Sequence, residues 1–284
     1  VVDIKNIAVI GAGIMGNGIT QVCASAGVNV IMVDISEAAV KRGLSTITNN
    51  LARLVKKEKI SAANMEAALA HIRISTSYED IVDKQVVIES ATENEELKFK
   101  IIRQIDGLLN PQGNIVTNTS SISITKLAAV TQRPDRFMGM HFFNPPPLME
   151  LIELIRGMRT SDECFETIHQ FAAKLGKIPI PVKNTPGFVV NRIICPMINE
   201  AIFALQEGLA PAEQIDSAMK LGTNMPVGPL ALADIIGLDT LLTIMETFYH
   251  GFDDTKYRPV LLLKEMVEAG FLGRKTGRGF YTYE

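Results

Sequence analysis

The chain has 284 residues, the length of one large domain or two ordinary ones at about 100–200 residues each, which excludes a small disulfide-stapled scaffold. Hydrophobic residues make up 47% and charged residues 21%, so there is material for a real core and disorder is excluded as the dominant state. The formal charge of −3, from 28 Lys+Arg against 31 Asp+Glu, lacks the basic excess of a nucleic-acid binder.

Ile7 to Ile10 is a short apolar run that ends in Gly11, the pattern of a strand buried on both faces of a parallel sheet. It is too short for the apolar region of a secretory signal. A helix follows from about Met15 to Ala26 and stops at Gly27. Val30 to Val33 is a second buried strand, closed by Asp34. Ser36 can cap a long helical stretch that runs to about Lys59. A second helical piece covers Ser61 to His71, so the insertion at about 36–71 exceeds an ordinary crossover helix. Strands resume at Ile72–Ile74, Gln85–Ile88 and Ile115–Thr117, with helical segments between them. This alternation predicts an α/β fold with a doubly wound, mostly parallel sheet.

The pattern changes after His141. Ile178, Pro179, Ile180, Pro181 and Val182 alternate apolar residues with prolines, which predicts an edge strand or an extended link. Asn184-Thr185-Pro186-Gly187 is turn-rich, and the domain boundary is placed there, giving domains at 1–184 and 185–284. Beyond it the chain reads as all-helical, with a strand pattern only at Phe280-Tyr281. Pro196 is expected to kink a long helix and Pro211 to start another. Leu241, Leu242, Ile244, Met245 and Phe248 form an apolar cluster larger than a small helical domain needs. It predicts a homodimer through the C-terminal domain.

No apolar run approaches the roughly 18 residues of a membrane helix. Cys23, Cys164 and Cys195 are scattered and form no CxxC, and the four histidines include no HExxH. Neither a disulfide framework nor a metal site is expected, and the chain reads as cytoplasmic with reduced thiols.

Gly11-Ala12-Gly13-Ile14-Met15-Gly16 is a GxGxxG between a strand and a helix. In that context Gly11 allows the tight turn, Gly13 lets backbone approach a pyrophosphate, and Gly16 lets helix pack on strand. The free N–H groups of the helix start then face the phosphates. Asp34 ends the next strand, where a carboxylate accepts from both ribose hydroxyls of NAD and repels the 2′-phosphate of NADP. The motif therefore predicts a Rossmann-type domain that binds NAD.

His141 lies in an apolar strand that runs into Asn144-Pro145-Pro146-Pro147. Either Glu150 or Glu153 could return to the imidazole after that turn, and spacing does not choose between them. An imidazole with a carboxylate on its far nitrogen suits the base that takes a hydroxyl proton while hydride leaves to nicotinamide.

GAGIMGNGIT at 11–20, TNTSSISI at 117–124, HFFNPPPLMELIE at 141–153, TPGFVVNRI at 185–193, GPLALADIIGLDT at 228–240 and GRKTGRGFY at 273–281 occur in this order. Together they resemble the L-3-hydroxyacyl-CoA dehydrogenase family, over essentially the whole chain. The resemblance implies a Rossmann domain, a helical dimerisation domain and NAD(H)-dependent interconversion of 3-hydroxyacyl-CoA and 3-ketoacyl-CoA. It points to the short-chain bacterial type, acting on (S)-3-hydroxybutyryl-CoA and acetoacetyl-CoA. By resemblance His141 is the catalytic base, Glu153 its carboxylate partner, and Ser120 and Asn191 hold the substrate oxygens. Glu93, Lys98, Ser120, Asn144 and Lys275 match positions that line the cofactor.

In the same way the helical insertion matches a projecting element that meets coenzyme A. Arg53, Lys56, Lys57 and Lys59 supply cations there that could pair with its phosphates. Two other functions fit the same fold. One is a gulonate-type hydroxyacid dehydrogenase, which dispenses with CoA. The other is a crystallin-like NAD-binding protein without catalysis.

Overall fold

The apolar run before the glycine loop forms β1 (Asn6–Ile10), whose Ile7, Ala8, Val9 and Ile10 are all buried. In the computed structural model, which describes residues 3–283, the chain continues through α1 (Ile14–Ser25), β2 (Asn29–Val33), α2 (Glu37–Lys56), α3 (Ala62–Ala70) and β3 (Ile72–Ser75). There follow β4 (Val86–Glu89), α4 (Glu95–Leu108), β5 (Asn114–Thr117), α5 (Ile124–Ala128), β6 (Phe137–Phe142), β7 (Leu151–Arg156), α6 (Asp162–Lys174) and β8 (Ile178–Lys183).

The eight strands form one sheet in the order β3-β2-β1-β4-β5-β6-β7-β8. All neighbours are parallel except β6 and β7. The first six follow the doubly wound order, with its switch point between β1 and β4. Helices α1 and α6 cover one part of the sheet: Ile19, Cys23, Ile168 and Phe171 pack with Val9, Val86, Met138 and Leu154. The insertion carries its own small core, in which Val40, Ile47 and Leu51 of α2 meet Ala68 of α3 and Met32 of β2. Ser36 caps α2, its hydroxyl accepting from the Ala39 amide at 3.2 Å. The helix ends at Lys56 rather than near Lys59, and Glu58 then turns with φ of 55°.

The proline-rich run is the edge strand β8. Ile178 donates its amide to Glu150 O at 2.8 Å. Strand alternation then turns Pro179 and Pro181 to the open edge, where a missing N–H removes nothing from the ladder and offers another strand no template.

Contacts divide the chain into two units between Thr185 and Pro186. The second unit contains α7 (Val190–Gln206), α8 (Ala212–Thr223), α9 (Pro229–Ile236), α10 (Leu238–Phe252) and α11 (Leu261–Glu268). Pro196 sits inside α7, which continues past it, and Pro211 stands just before α8. The C-terminal run makes isolated bridges, Gly273 with Arg278 and Arg278 with Thr282, rather than a strand at Phe280-Tyr281. Buried Asp234 explains why this run is pinned: it accepts from the Phe280 and Tyr281 amides, each at 3.0 Å, and from the Tyr283 hydroxyl at 2.8 Å.

The apolar cluster taken as a dimer surface is internal. Leu241, Ile244, Met245 and Phe248 are buried with Cys195, Ile198 and Ile202 of α7 and Leu230 of α9, and Leu242 is only partly covered. Neighbours α7, α9 and α11 surround α10, so it has an apolar face for each of them within its own unit. Among the described residues no helix is long and apolar enough to cross a membrane, and no group of His, Cys, Asp and Glu is arranged to hold a metal.

Candidate active site

The glycine loop closes over the carboxyl ends of β1 and β4. Gly11 adopts φ of +101°, a conformation that L side chains rarely take, and a Cβ on it would lie 2.5 Å from Ser90 O. A Cβ on Gly16 would lie 1.8 Å from Gly11 O, so α1 can pack on the loop only without one. At Gly13 an added Cβ would meet nothing within 4 Å, so the middle glycine faces open space. That is the geometry a pyrophosphate needs for close backbone approach at a helix start, and Ala12, Ile14 and Met15 complete the turn around it. The residues fit a dinucleotide. Half-buried Asp34 braces the loop as well as ending β2: it accepts from the Ala12 amide at 2.9 Å and the Ser36 amide at 3.2 Å.

Across the switch point, Glu93 organises the TNTSS segment. Its Oε2 accepts from the Thr119 hydroxyl at 2.7 Å, and its Oε1 from the Ser120 amide at 2.8 Å and hydroxyl at 3.2 Å. Ser123, not Ser120 or Ser121, caps α5. Beside them the Asn118 side chain accepts from the Phe142 amide at 2.8 Å and donates to Ser90 Oγ at 3.2 Å. It thus extends the link between β5 and β6 beyond their backbone ladder, next to His141.

The antiparallel register of β6 and β7 places His141 directly opposite Glu153. Side chains opposed in such a pair share one face of the sheet. His141 Nδ1 lies 2.8 Å from Glu153 Oε2, and both residues are buried. Glu150 lies before β7 in an exposed position, so the choice that spacing left open falls to Glu153. The Phe143 ring stands 4.6 Å from the imidazole.

A cleft of about 450 Å³ runs from the glycine loop to the proline turn. Ile14, Asn144, Arg53 and Lys57 all line it. Lys56 is exposed on the same helix but is not part of the lining. Two expected cofactor contacts, buried Lys98 and exposed Lys275, are each paired with a carboxylate of this chain. Lys98 is 1% exposed, with its ammonium 2.8 and 2.6 Å from the two Glu89 oxygens. Lys275, in the second unit, donates to both oxygens of Asp239 at 2.6 Å. Asn191 lies in the first turn of α7, half-buried, in the same unit. Glu89, Thr117 and Asn118 were not singled out from sequence. Glu89 carried a signal, since like Asp34 it is a carboxylate closing an apolar strand at the ligand edge of the sheet.

The sequence matches two family models, described as "3-hydroxyacyl-CoA dehydrogenase, NAD binding domain" over residues 6–185 and "3-hydroxyacyl-CoA dehydrogenase, C-terminal domain" over residues 187–283. A Bradyrhizobium diazoefficiens protein named 3-hydroxybutyryl-CoA dehydrogenase is 52% identical over 280 residues, covering 99% of this chain and 96% of that one. The crystal structure of (S)-3-hydroxybutyryl-CoA dehydrogenase PaaH1 from Ralstonia eutropha superposes with a TM-score of 0.97 at 60% identity, covering 99% of this chain and 100% of that one. That of Mycobacterium tuberculosis FadB2 also gives 0.97, at 40% identity and with 100% of both chains covered.

Proposed function

The chain belongs to the 3-hydroxyacyl-CoA dehydrogenase family, and from that premise we propose that it interconverts (S)-3-hydroxybutyryl-CoA and acetoacetyl-CoA, with His141 and Glu153 as the acid/base pair. It is an NAD-dependent oxidoreductase, and the glycine loop and Asp34 are the residues that would hold the dinucleotide. The short-chain substrate is supported by the names of the relatives, and the acid/base assignment by the His141–Glu153 hydrogen bond at 2.8 Å. That bond is the observation that carries the reading.

When bound, NAD(H) supplies or accepts the hydride at C3 of the substrate. His141 handles the matching proton. A carboxylate accepts, so Nδ1 carries the hydrogen toward Glu153, and Nε2 is the nitrogen that exchanges a proton with the 3-oxygen. In reduction the imidazolium gives its proton to the oxygen as the carbon gains hydride. In oxidation the neutral ring takes the hydroxyl proton. Buried Glu153 stabilises the imidazolium and holds the ring in one tautomer. Ser120, held by Glu93, and Asn191 are assigned as donors to the substrate oxygens, and Arg53 and Lys57 as cations for the phosphates of CoA. Exposed Ile193, Leu221 and Leu261 of the second unit support its pairing with a second copy.

The test is reduction of acetoacetyl-CoA followed with NADH and NADPH in parallel, with free acetoacetate as control. Turnover of the thioester with NADH and little with the free acid is the expected result. Activity on the free acid alone would move the assignment to the gulonate-type reading, and NADH binding without turnover to the non-catalytic one.

A further inference from the structure

A second network of buried ionisable groups lies at the carboxyl ends of β4 and β5, and the acid/base step does not use it. Glu89, at the end of β4, is fully buried and fully paired. Its Oε1 accepts from the Ala91 amide at 2.9 Å and Lys98 Nζ at 2.8 Å. Its Oε2 accepts from Lys98 Nζ at 2.6 Å and the Thr117 hydroxyl at 2.7 Å. One carboxylate thus ties together α4, the segment after β4 and the end of β5.

One tied segment packs on the glycine loop and the other leads to Ser120. Ser90 donates its amide to Ile10 O at 2.8 Å, and Gly11 packs against the Ser90 and Ala91 backbone. On the other side the Thr119 amide reaches Thr117 Oγ1 at 3.3 Å, and the Thr119 hydroxyl bonds Glu93, which holds Ser120. A continuous set of hydrogen bonds therefore leads from Lys98 to Ser120. Burying an ion pair brings little net stability compared with apolar residues of the same volume, whereas breaking one is costly. What the pair does supply here is two directed bonds beyond itself, from the Ala91 amide after β4 and the Thr117 hydroxyl at the end of β5.

We propose that the buried Glu89–Lys98 pair is a positioning element of the active site, and that Lys98 acts through Glu89 rather than by touching the cofactor. The pair sets the height of the Ser90–Ala91 segment against Gly11 and of the Thr117–Ser120 segment against the substrate. The proposal rests on the dehydrogenase reading above, and turnover of acetoacetyl-CoA by the unaltered protein is measured first. Failure there would remove that reading, while the NADH-binding arm below would still test the pair.

The experiment compares Glu89→Gln, Lys98→Met and the double variant by thermal midpoint, NADH affinity from the cofactor's own fluorescence, and kcat and KM for acetoacetyl-CoA. Thr117→Val and Thr117→Ser complete the set, and they carry the test if a charge variant fails to fold. Each single charge variant is expected to lose NADH affinity to a similar degree and kcat/KM by about 10²-fold, the scale of a small misplacement. The double variant is expected to recover the thermal midpoint, because no unpaired charge stays buried, but not NADH affinity or kcat. Thr117→Val should lower kcat with a nearly unchanged midpoint, and Thr117→Ser should restore it. Three results would overturn the proposal. Full recovery of NADH affinity and kcat in the double variant would make the pair structural only. Weak NADH binding in Lys98→Met with wild-type binding in Glu89→Gln would make Lys98 a direct cofactor ligand. With the charge variants unfolded, wild-type kcat in Thr117→Val would overturn it as well.

Discussion

His141 and Glu153 are register partners across the antiparallel β6–β7 pair, joined through Nδ1 and Oε2 at 2.8 Å. The bond is set by strand pairing rather than by a flexible loop, so it survives small changes in the proline turn. Glu153→Gln keeps an acceptor for Nδ1 but removes the charge that, in the proposed mechanism, stabilises the imidazolium. Its kcat is expected to fall by about 10²–10⁴-fold with an unchanged thermal midpoint. His141→Ala should abolish turnover and leave NADH affinity intact. Steady-state kinetics beside NADH fluorescence titration checks both, and a fully active Glu153→Gln would sever the carboxylate from the chemistry.

The three glycines of the loop should fail in different ways. An added methyl at Gly13 meets nothing in the protein, so Gly13→Ala should fold with a wild-type midpoint and lose NADH affinity alone. At Gly16 the methyl would overlap Gly11 O at 1.8 Å, so Gly16→Ala should lower the midpoint as well. Equal midpoints for the two variants would show that the loop yields at Gly16.

Asp34 has two duties in the structure, bracing the Ala12 amide and ending the strand where a ribose would lie. Asp34→Ala should therefore reduce the preference for NADH over NADPH by about 10-fold or more, the scale of a lost charged hydrogen bond. The same change should cost about 1–3 kcal/mol of stability, because two backbone donors lose their acceptor. Paired kcat/KM values for the two cofactors and a denaturant midpoint measure the two effects separately.

Burial pushes the thiols of Cys164 and Cys195 up to about 12, and that of Cys23 higher still. The thiolate is the nucleophile, so the native protein should resist a thiol-specific disulfide reagent at pH 8 and release all three thiols on unfolding. The linkage has a definite sign. The folded state holds these protons above the unfolded thiol range of about 8.5, so stability is full below that pH and declines as pH rises toward 12. A thermal midpoint constant from pH 6 to 8 and falling above 9 is the expected profile. Fast native labelling at pH 8 would show that a cysteine is reached by local opening.

The amino-acid sequence alone determined the parts whose cause is local. Continuous apolar runs marked strands buried on both faces, the glycine spacing marked the turn at the end of β1, and prolines 179 and 181 marked an edge. The proposed acid/base pair was half legible. The histidine stood out, but the choice between Glu150 and Glu153 depends on the β6–β7 register, a pairing that no single segment encodes. The network of Glu89, Lys98 and Thr117 was hidden for the same reason, since its members lie on three elements that meet only when the sheet closes. The apolar cluster of α10 misled in the opposite direction. Periodicity counts how many side chains must be covered, and only packing against α7, α9 and α11 decided that the chain covers them itself. Local pattern sets which residues must leave water or turn, whereas register and packing, which depend on distant segments, decide which of them meet.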